Sequence, residues 1–182
     1  MAQRGQRTAL LVIDMLNSYE HDDAERLAES ARDVVPHIAA MVERARREDT
    51  PVVYVNDNYG DWNSSSEELA REAMDGRHPE LVEPLLPHSD DAFVIKARHS
   101  VFYSTPLEYL LQTMDVGRIV LTGQATEQCI LYSALDGYVR HFEVVVPRDA
   151  VAHISAQLAD AACEMMERNM HAEVVPAARL RL

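Results

Sequence analysis

Short apolar runs recur along the chain, and longer amphipathic stretches separate them. Continuous aliphatic runs bounded by polar residues are typical of buried parallel strands, whereas apolar positions with a period near 3.6 predict helices that face a sheet. The predicted strands lie at 8–13, 51–55, 92–95, 119–121, 143–146 and 173–175. The predicted helices lie at 24–48, from 66 onward, and at 80–86, 105–114, 127–139 and 155–170.

Three local signals refine the predicted helices. Pro36 is expected to restart the long helix at a first-turn position. Thr105 is expected to cap a helix whose first residue is Pro106, and Thr126 to cap a helix that begins at Glu127.

The alternation of strands and helices predicts an α/β fold. We expect a doubly wound, Rossmann-like sheet of six parallel strands with helices on both faces. The commonest strand order for such a sheet is 3-2-1-4-5-6, and it places strands one and four side by side at the point where ligands bind. The length of 182 residues is that of one ordinary domain, so we assign 1–182 to a single domain.

The composition excludes several classes of protein. A formal net charge of −13 argues against binding to nucleic acid or to an anionic membrane, because both require basic patches. No apolar run is long enough to span a bilayer, and residues 1–7 lack the apolar core of a signal peptide. Two cysteines far apart do not form a disulfide framework. We therefore predict a reduced, cytoplasmic protein.

Three residues whose side chains can take part in catalysis lie at the ends of predicted strands or follow them. Asp14 comes directly after strand one, Lys96 stands at the end of strand three, and Cys129 follows strand four. Because parallel strands end at one edge of the sheet, these side chains are expected to face the same crevice. We expect the Lys96 ammonium to lie at the strand end and outside the core. A carboxylate, a cation and a thiol are the components of a covalent hydrolase.

Cys129 and Cys163 are expected to differ in the reactivity of their thiols. Most free cysteines are small buried hydrophobes, and Cys163, on an amphipathic helix, fits that description. Cys129 is placed in the first turn of a helix, where the helix dipole and Lys96 favour a thiolate and Asp14 opposes it. The sequence alone thus predicts a pKa below that of a free thiol.

Three segments resemble the isochorismatase-like cysteine hydrolases, which include nicotinamidases and N-carbamoylsarcosine amidases. They are L-L-V-I-D at 10–14, K-A-R-H-S-V-F-Y-S-T-P-L at 96–107 and L-T-G-Q-A-T-E-Q-C at 121–129. The resemblance covers nearly the whole chain.

The resemblance implies a catalytic triad in which Cys129 is the nucleophile, Asp14 the general base and Lys96 the stabilising cation. It also implies a cis peptide bond between Gln124 and Ala125. The backbone N–H groups of Ala125 and Cys129 would then form the oxyanion hole.

Two places depart from the family pattern. Relatives that bind a metal show D-x-H after strand two, whereas this chain has Asp57-Asn58-Tyr59. We therefore predict no metal and no other cofactor. Near Asp14 the chain has D-M-L-N-S-Y where many relatives have D-x-Q-x-D-F. We predict substrate contacts from Tyr19, Phe102 and Trp62, the last in the irregular segment 57–90, where it would close over the substrate. His99 is interpreted as a surface histidine.

Three functions are compatible with these residues. The first is an amidohydrolase that cleaves a small carboxamide through a thioester and releases ammonia. The second is an isochorismatase-type vinyl ether hydrolase, in which the aspartate donates a proton and no cysteine is needed. The third is a catalytically idle binding protein on the same scaffold. Cys129 favours the first. The expected partners are a small-molecule substrate and further copies of the chain, in a homo-oligomer such as a dimer or tetramer.

Overall fold

A six-stranded parallel β-sheet runs through the centre of the molecule. The structure, a computed structural model, describes residues 5–182. The strand order is β3-β2-β1-β4-β5-β6 with parallel neighbours, which confirms the predicted order. The strands are β1 (Arg7–Ile13), β2 (Val52–Asp57), β3 (Ala92–Lys96), β4 (Val116–Gly123), β5 (Glu143–Pro147) and β6 (Glu173–Val175).

Helices cover both faces of this sheet. They are α1 (Ala24–Arg47), α2 (Ser66–Met74), α3 (Pro79–Val82), α4 (Leu107–Thr113), α5 (Leu131–Val139) and α6 (Ala156–Met170). Shorter helical turns occur at Glu83–Leu85, Thr126–Ile130 and Ala177–Arg179. No helix within residues 5–182 is both long and apolar enough to cross a membrane.

Strand β1 separates two hydrophobic cores. Leu10 and Val12 pack with residues of α1, α2 and α3 on one face, whereas Leu11 and Ile13 pack with residues of α4, α5 and α6 on the other. Successive side chains of a strand point to opposite faces, so a strand between two helical layers must be apolar at every position. This requirement explains the uninterrupted aliphatic runs.

The long helix α1 does not restart at Pro36. The proline lies inside one continuous helix. A proline in a helix interior removes a hydrogen bond and costs about 3 kcal/mol. Val35 and Ile38, on either side of it, are buried in the core, and the burial of this apolar face outweighs the local cost.

Segment 57–90 contains regular structure as well as turns. The helix predicted from 66 onward is confirmed as α2. It begins with a capping box, in which the Ser65 hydroxyl accepts from the Glu68 backbone while the Glu68 carboxylate accepts from the Ser65 backbone. The helix predicted at 80–86 is divided into α3 and the turn Glu83–Leu85. Pro84 has no N–H to continue the α-helical ladder, which accounts for the division.

Helix α4 begins one residue later than expected. Its first residue is Leu107 and not Pro106. The Thr105 hydroxyl still accepts a hydrogen bond from the Leu107 backbone N–H at 3.3 Å, as a capping residue does, and donates to the Val101 carbonyl.

Candidate active site

Four polar side chains meet at the carboxyl ends of the central strands. Asp14 follows β1, Asp57 ends β2, Lys96 ends β3, and Cys129 follows β4 after a short connection. The order of the sheet places these strand ends side by side. The structure therefore brings together the three residues that the sequence had indicated and adds a fourth, Asp57.

The Lys96 ammonium contacts all three of the other groups. Its Nζ lies 2.8 Å from Asp14 Oδ2, 3.4 Å from Asp57 Oδ2 and 3.7 Å from Cys129 Sγ. The side chain is 0 % exposed, so the expectation that it lies outside the core is wrong. Burial alone favours a neutral amine, but the carboxylates of Asp14 and Asp57 hold the pKa of Lys96 above its ordinary value.

Asp57 is a site residue that the motifs did not reveal. It lies directly opposite Lys96 in the register of β2 and β3. Its backbone N–H donates to Asp14 Oδ1 at 2.8 Å, so Asp57 supports the carboxyl of Asp14 as well as the lysine. The signal was available in the sequence, because Asp57 ends the strand that the predicted order places between those of Asp14 and Lys96.

The backbone of Asp14 is held in a left-handed conformation with φ 55°. Its N–H donates to the Val55 carbonyl at 3.0 Å, and its carbonyl accepts from Gln124 Nε2 at 2.7 Å. Aspartate tolerates this conformation better than most residues. These bonds turn the chain sharply after β1 and fix the direction in which the carboxyl points.

Tyr19 supports the site from behind. The tyrosine is fully buried, and its hydroxyl donates to Gln124 Oε1 at 3.2 Å. Burial raises the pKa of Tyr19 to about 12, so this hydroxyl stays a donor. The structure therefore corrects the prediction of a substrate contact, because the ring is enclosed by protein and orients Gln124.

The connection from β4 to Cys129 depends on Gly123 and a cis peptide bond. Gly123 has φ 112°, and a Cβ at this position would lie 2.0 Å from the Ile13 carbonyl oxygen. Only glycine permits so close an approach of the two central strands. The next peptide bond, Gln124-Ala125, is cis.

Cys129 lies in a wide helical turn that precedes the regular helix. Residues Thr126–Ile130 form a π-helical turn in which the Ile130 N–H donates to the Ala125 carbonyl, and α5 begins at Leu131. The Thr126 hydroxyl donates to the Ala152 carbonyl at 2.8 Å and caps nothing, so the predicted cap and the predicted start at Glu127 are wrong. The physical reason is that the buried hydroxyl finds a partner in the neighbouring loop.

The surroundings of Cys129 oppose ionisation of its thiol. Burial and the Asp14 carboxylate raise the pKa of Cys129 well above its ordinary range, and Lys96 opposes them only in part. The Cys129 thiol donates a hydrogen bond to Asp14, which also favours the protonated sulfur. The predicted lowering of the pKa of Cys129 is therefore wrong. Burial outweighs the helix dipole, because a buried charge loses its hydration.

Asp14 is a stronger base than an exposed aspartate. Burial raises the pKa of this carboxyl, although Lys96 and the hydrogen bond from Cys129 act in the opposite direction. A carboxyl with a raised pKa that touches a thiol is suited to exchange a proton with it.

Phe102 belongs to the core and not to the substrate site. Its ring is 4 % exposed and stacks on Phe142 with 5.6 Å between centroids, and the Arg140 guanidinium lies over it. The prediction of a substrate contact is wrong because Phe102 packs below Gly137 of α5 and has no free face.

Trp62 lies at the surface with 81 % of its area exposed. Contact with a substrate would need a movement of its loop, and closure over the substrate stays a prediction. Because Trp62 is the single tryptophan of the chain, fluorescence reports on it alone. We expect the emission of an exposed indole from the free protein and a blue shift at saturating substrate. An emission maximum that does not move would contradict the closure.

The structure offers no arrangement suited to a metal among residues 5–182. It places no group of three or more His, Cys, Asp or Glu side chains so that they could hold a metal ion. Asp57 is the first residue of the triplet Asp57-Asn58-Tyr59, which stands where metal-binding relatives have D-x-H. Its carboxylate interacts with Lys96. The residues present therefore do not fit the metal site of some relatives, and catalysis without a metal stays a prediction.

His99 reaches the nucleophile from the solvent side. Its Nδ1 lies 3.6 Å from Cys129 Sγ, and its ring lies 5.5 Å from that of Tyr132. The residue is exposed, as expected, but it is not an isolated surface histidine.

Comparison with known proteins agrees with this geometry. A family model described as "Isochorismatase domain" matches residues 8–179. The chain belongs to the isochorismatase family. It is accordingly an isochorismatase-family hydrolase.

Individual relatives support the same conclusion. The uncharacterized isochorismatase family protein YaaI of Bacillus subtilis is 37% identical over 166 residues, which cover 91% of this chain and 92% of YaaI. A probable inactive nicotinamidase of Arabidopsis thaliana is 32% identical over 170 residues, with 87% of each chain covered. The solved N-carbamoylsarcosine amidase of Thermoplasma acidophilum matches with a TM-score of 0.75 and 26% identity, over 97% of this chain and 100% of the amidase.

Proposed function

We propose that this hydrolase cleaves the C–N bond of a small carboxamide through a thioester on Cys129 and releases ammonia. The observation that carries the proposal is one buried lysine in contact with both a carboxyl and a thiol, since Lys96 Nζ lies 2.8 Å from Asp14 and 3.7 Å from Cys129. The similarity to an amidase over the whole chain supports an amide substrate.

The first step forms the thioester. Asp14 takes the proton of the thiol to which it is hydrogen-bonded, and the thiolate attacks the carbonyl carbon. The Lys96 ammonium remains beside the sulfur and offsets its charge. The backbone N–H groups of Ala125 and Cys129 donate to the oxyanion of the tetrahedral adduct. Asp14 then returns the proton to the departing nitrogen, and ammonia leaves.

The second step regenerates the free protein. Asp14 takes a proton from a water molecule, which attacks the thioester carbonyl. The C–S bond breaks, the carboxylic acid leaves, and the sulfur regains a proton from Asp14. One carboxyl therefore serves both steps, and its raised pKa suits it to accept a proton and return it within each step.

Two other functions use less of this site. A vinyl ether hydrolase would need the aspartate as a proton donor and would leave the thiol without a task. A binding protein would need neither Lys96 nor Cys129 to be held in contact. The hydrogen-bonded thiol beside Lys96 favours the amidohydrolase.

The test is a panel of small carboxamides that includes nicotinamide and N-carbamoylsarcosine, with a vinyl ether for comparison. We expect ammonia from at least one amide, and an acyl adduct on Cys129 and not on Cys163 by mass spectrometry after rapid acid quenching. Turnover of the vinyl ether alone would refute the proposal, and so would ammonia release without any adduct. Failure of every compound, with the triad intact and folded, would favour the idle scaffold.

A further inference from the structure

Cys129 has neighbours of two kinds. Asp14 and Lys96 approach its sulfur from the interior, and both are almost fully buried. His99 approaches from the solvent, with Nδ1 3.6 Å from Sγ, which is within hydrogen-bonding distance for sulfur. The nucleophile thus lies between a buried carboxyl and lysine on one side and an exposed imidazole on the other.

The imidazole is held in this position by local structure. His99 follows Lys96, the last residue of β3, by three positions. Its ring packs against Tyr132, with 5.5 Å between the centroids and 33° between the planes. Tyr132 follows Cys129 by three residues in the same helical run, and such residues are neighbours on one surface of a helix. The stacking ring and the sulfur are therefore presented to His99 together.

The charges around the sulfur make a further cation favourable. The carboxylates of Asp14 and Asp57 and the ammonium of Lys96 leave one net negative charge beside Cys129. Forming a thiolate there adds a second negative charge, and burial opposes it as well. Two titratable residues lie beside His99: Tyr132, whose ring packs against the imidazole, and the neighbouring Arg98, whose guanidinium donates to the Ala97 carbonyl.

We propose that His99 is a second proton acceptor for Cys129 and a catalytic residue. The proposal rests on the function above, in which Cys129 is the nucleophile, and it gives the first step a second route in which His99, and not Asp14, takes the thiol proton. In the tautomer with an unprotonated Nδ1, the S–H group turns from Asp14 to His99. The S–H bond breaks, the proton moves to Nδ1, and a thiolate–imidazolium pair forms without a change in the net charge of the site. The imidazolium then gives the proton to the departing nitrogen. Asp14 stays ionised and paired with Lys96, ready to accept the proton of the attacking water.

The test measures the alkylation of Cys129 and needs no substrate. The rate of labelling by iodoacetamide is followed by mass spectrometry at several pH values in the wild type and in His99→Gln. Since thiolate is the reactive form, loss of the imidazole is expected to slow the labelling of Cys129 about tenfold or more near neutral pH. The difference is expected to disappear at strongly alkaline pH, where the thiol ionises without His99.

Internal and matched controls are available in the same chain. Cys163, which is half buried and distant in sequence, is expected to be labelled at one rate in all variants. His141→Gln removes another exposed histidine and is expected to leave the labelling rate of Cys129 unchanged. Tyr132→Phe removes the hydroxyl and keeps the ring that packs against His99. In His99→Ala, free imidazole in the buffer is expected to restore the labelling of Cys129, because His99 is open to solvent.

Each outcome has one meaning. Slower labelling in His99→Gln with recovery by imidazole in His99→Ala supports the ion pair. An unchanged pH profile of Cys129 labelling in His99→Gln overturns it, as does an equal effect on Cys163. Absence of ammonia from every amide would refute the amidohydrolase and leave the labelling result as it stands, so the two proposals fail separately.

Discussion

Replacement of Cys129 by alanine is expected to reduce amide turnover by a factor of about 10⁴ to 10⁶, the range seen when one member of a catalytic triad is removed. The loss is large because the thiol of Cys129, 3.7 Å from Lys96 Nζ, is the group that attacks the carbonyl carbon. The fold is expected to persist, since alanine removes one sulfur atom and leaves the cis connection and Gly123 in place. The measurement is kcat/KM by ammonia release, together with urea unfolding.

The controls separate the nucleophile from a general effect of cysteine loss. Cys163→Ala removes the other thiol, which has no contact with the triad, and is expected to keep full activity. Cys129→Ser keeps a hydroxyl of similar shape and is expected to be nearly as inactive as the alanine variant, because an alcohol is harder to ionise than a thiol. Substantial turnover by Cys129→Ala would overturn the thioester mechanism.

Replacement of Lys96 by methionine is expected to remove turnover and to destabilise the fold. Methionine matches the length of the buried stem but leaves the carboxylates of Asp14 and Asp57 without their cation. Removing one partner of a buried ion pair costs about 3 to 5 kcal/mol of unfolding free energy. Turnover is expected to fall by at least about 10², since the thiolate loses the ammonium 3.7 Å away.

The loss of stability is expected to depend on pH in a defined direction. Burial already raises the pKa of Asp14, and removal of Lys96 removes the main opposing charge. When the pKa of a carboxyl is higher in the folded than in the unfolded state, the folded state binds the proton more tightly. The free energy of unfolding therefore falls as the pH rises through the titration of this carboxyl. The deficit of Lys96→Met relative to the wild type should therefore be smaller at about pH 5 than at about pH 8.

A double variant tests whether the unpaired charge is the cause. Lys96→Met with Asp57→Asn removes one carboxylate together with the ammonium and is expected to recover part of the lost unfolding free energy, while remaining inactive. Equal stability of Lys96→Met and the wild type at both pH values would show that the buried ion pair contributes nothing. Full activity of Lys96→Met would remove the lysine from the mechanism.

Much of the composition of the site can be predicted from the positions at which the strands end. Parallel strands end at one edge of a sheet, so a polar residue after each buried run is placed near the others before any contact is known. This reasoning brought Asp14, Lys96 and Cys129 together. The same reasoning would have included Asp57 if the second strand had been predicted to end at 57 and not at 55. In the structure, β2 extends to Asp57.

The incorrect predictions concern which side chains are buried and which groups they contact. The sequence predicts Lys96 outside the core and a lowered pKa for Cys129, whereas both residues are buried and burial raises the pKa of the thiol. Tyr19 and Phe102 are aromatic residues near motif positions, yet one orients Gln124 and the other packs on Phe142. Whether an aromatic ring faces a ligand or the core depends on which elements lie over it, and that information is absent from local sequence.

The sequence by itself determined the six parallel strands, the two helical layers and the set of reactive residue types, because these depend on hydrophobic period and on the order of elements along the chain. The strand order was predicted as the commonest one for such a sheet, and the structure confirms it. The oligomeric state and the cellular location stay predictions. Only the tertiary structure decided the direction in which the pKa of Cys129 is shifted, the carboxylate pair around Lys96 and the approach of His99 to the sulfur. Each of these depends on distances of a few ångströms between residues far apart in the chain, where electrostatic and desolvation energies change most steeply.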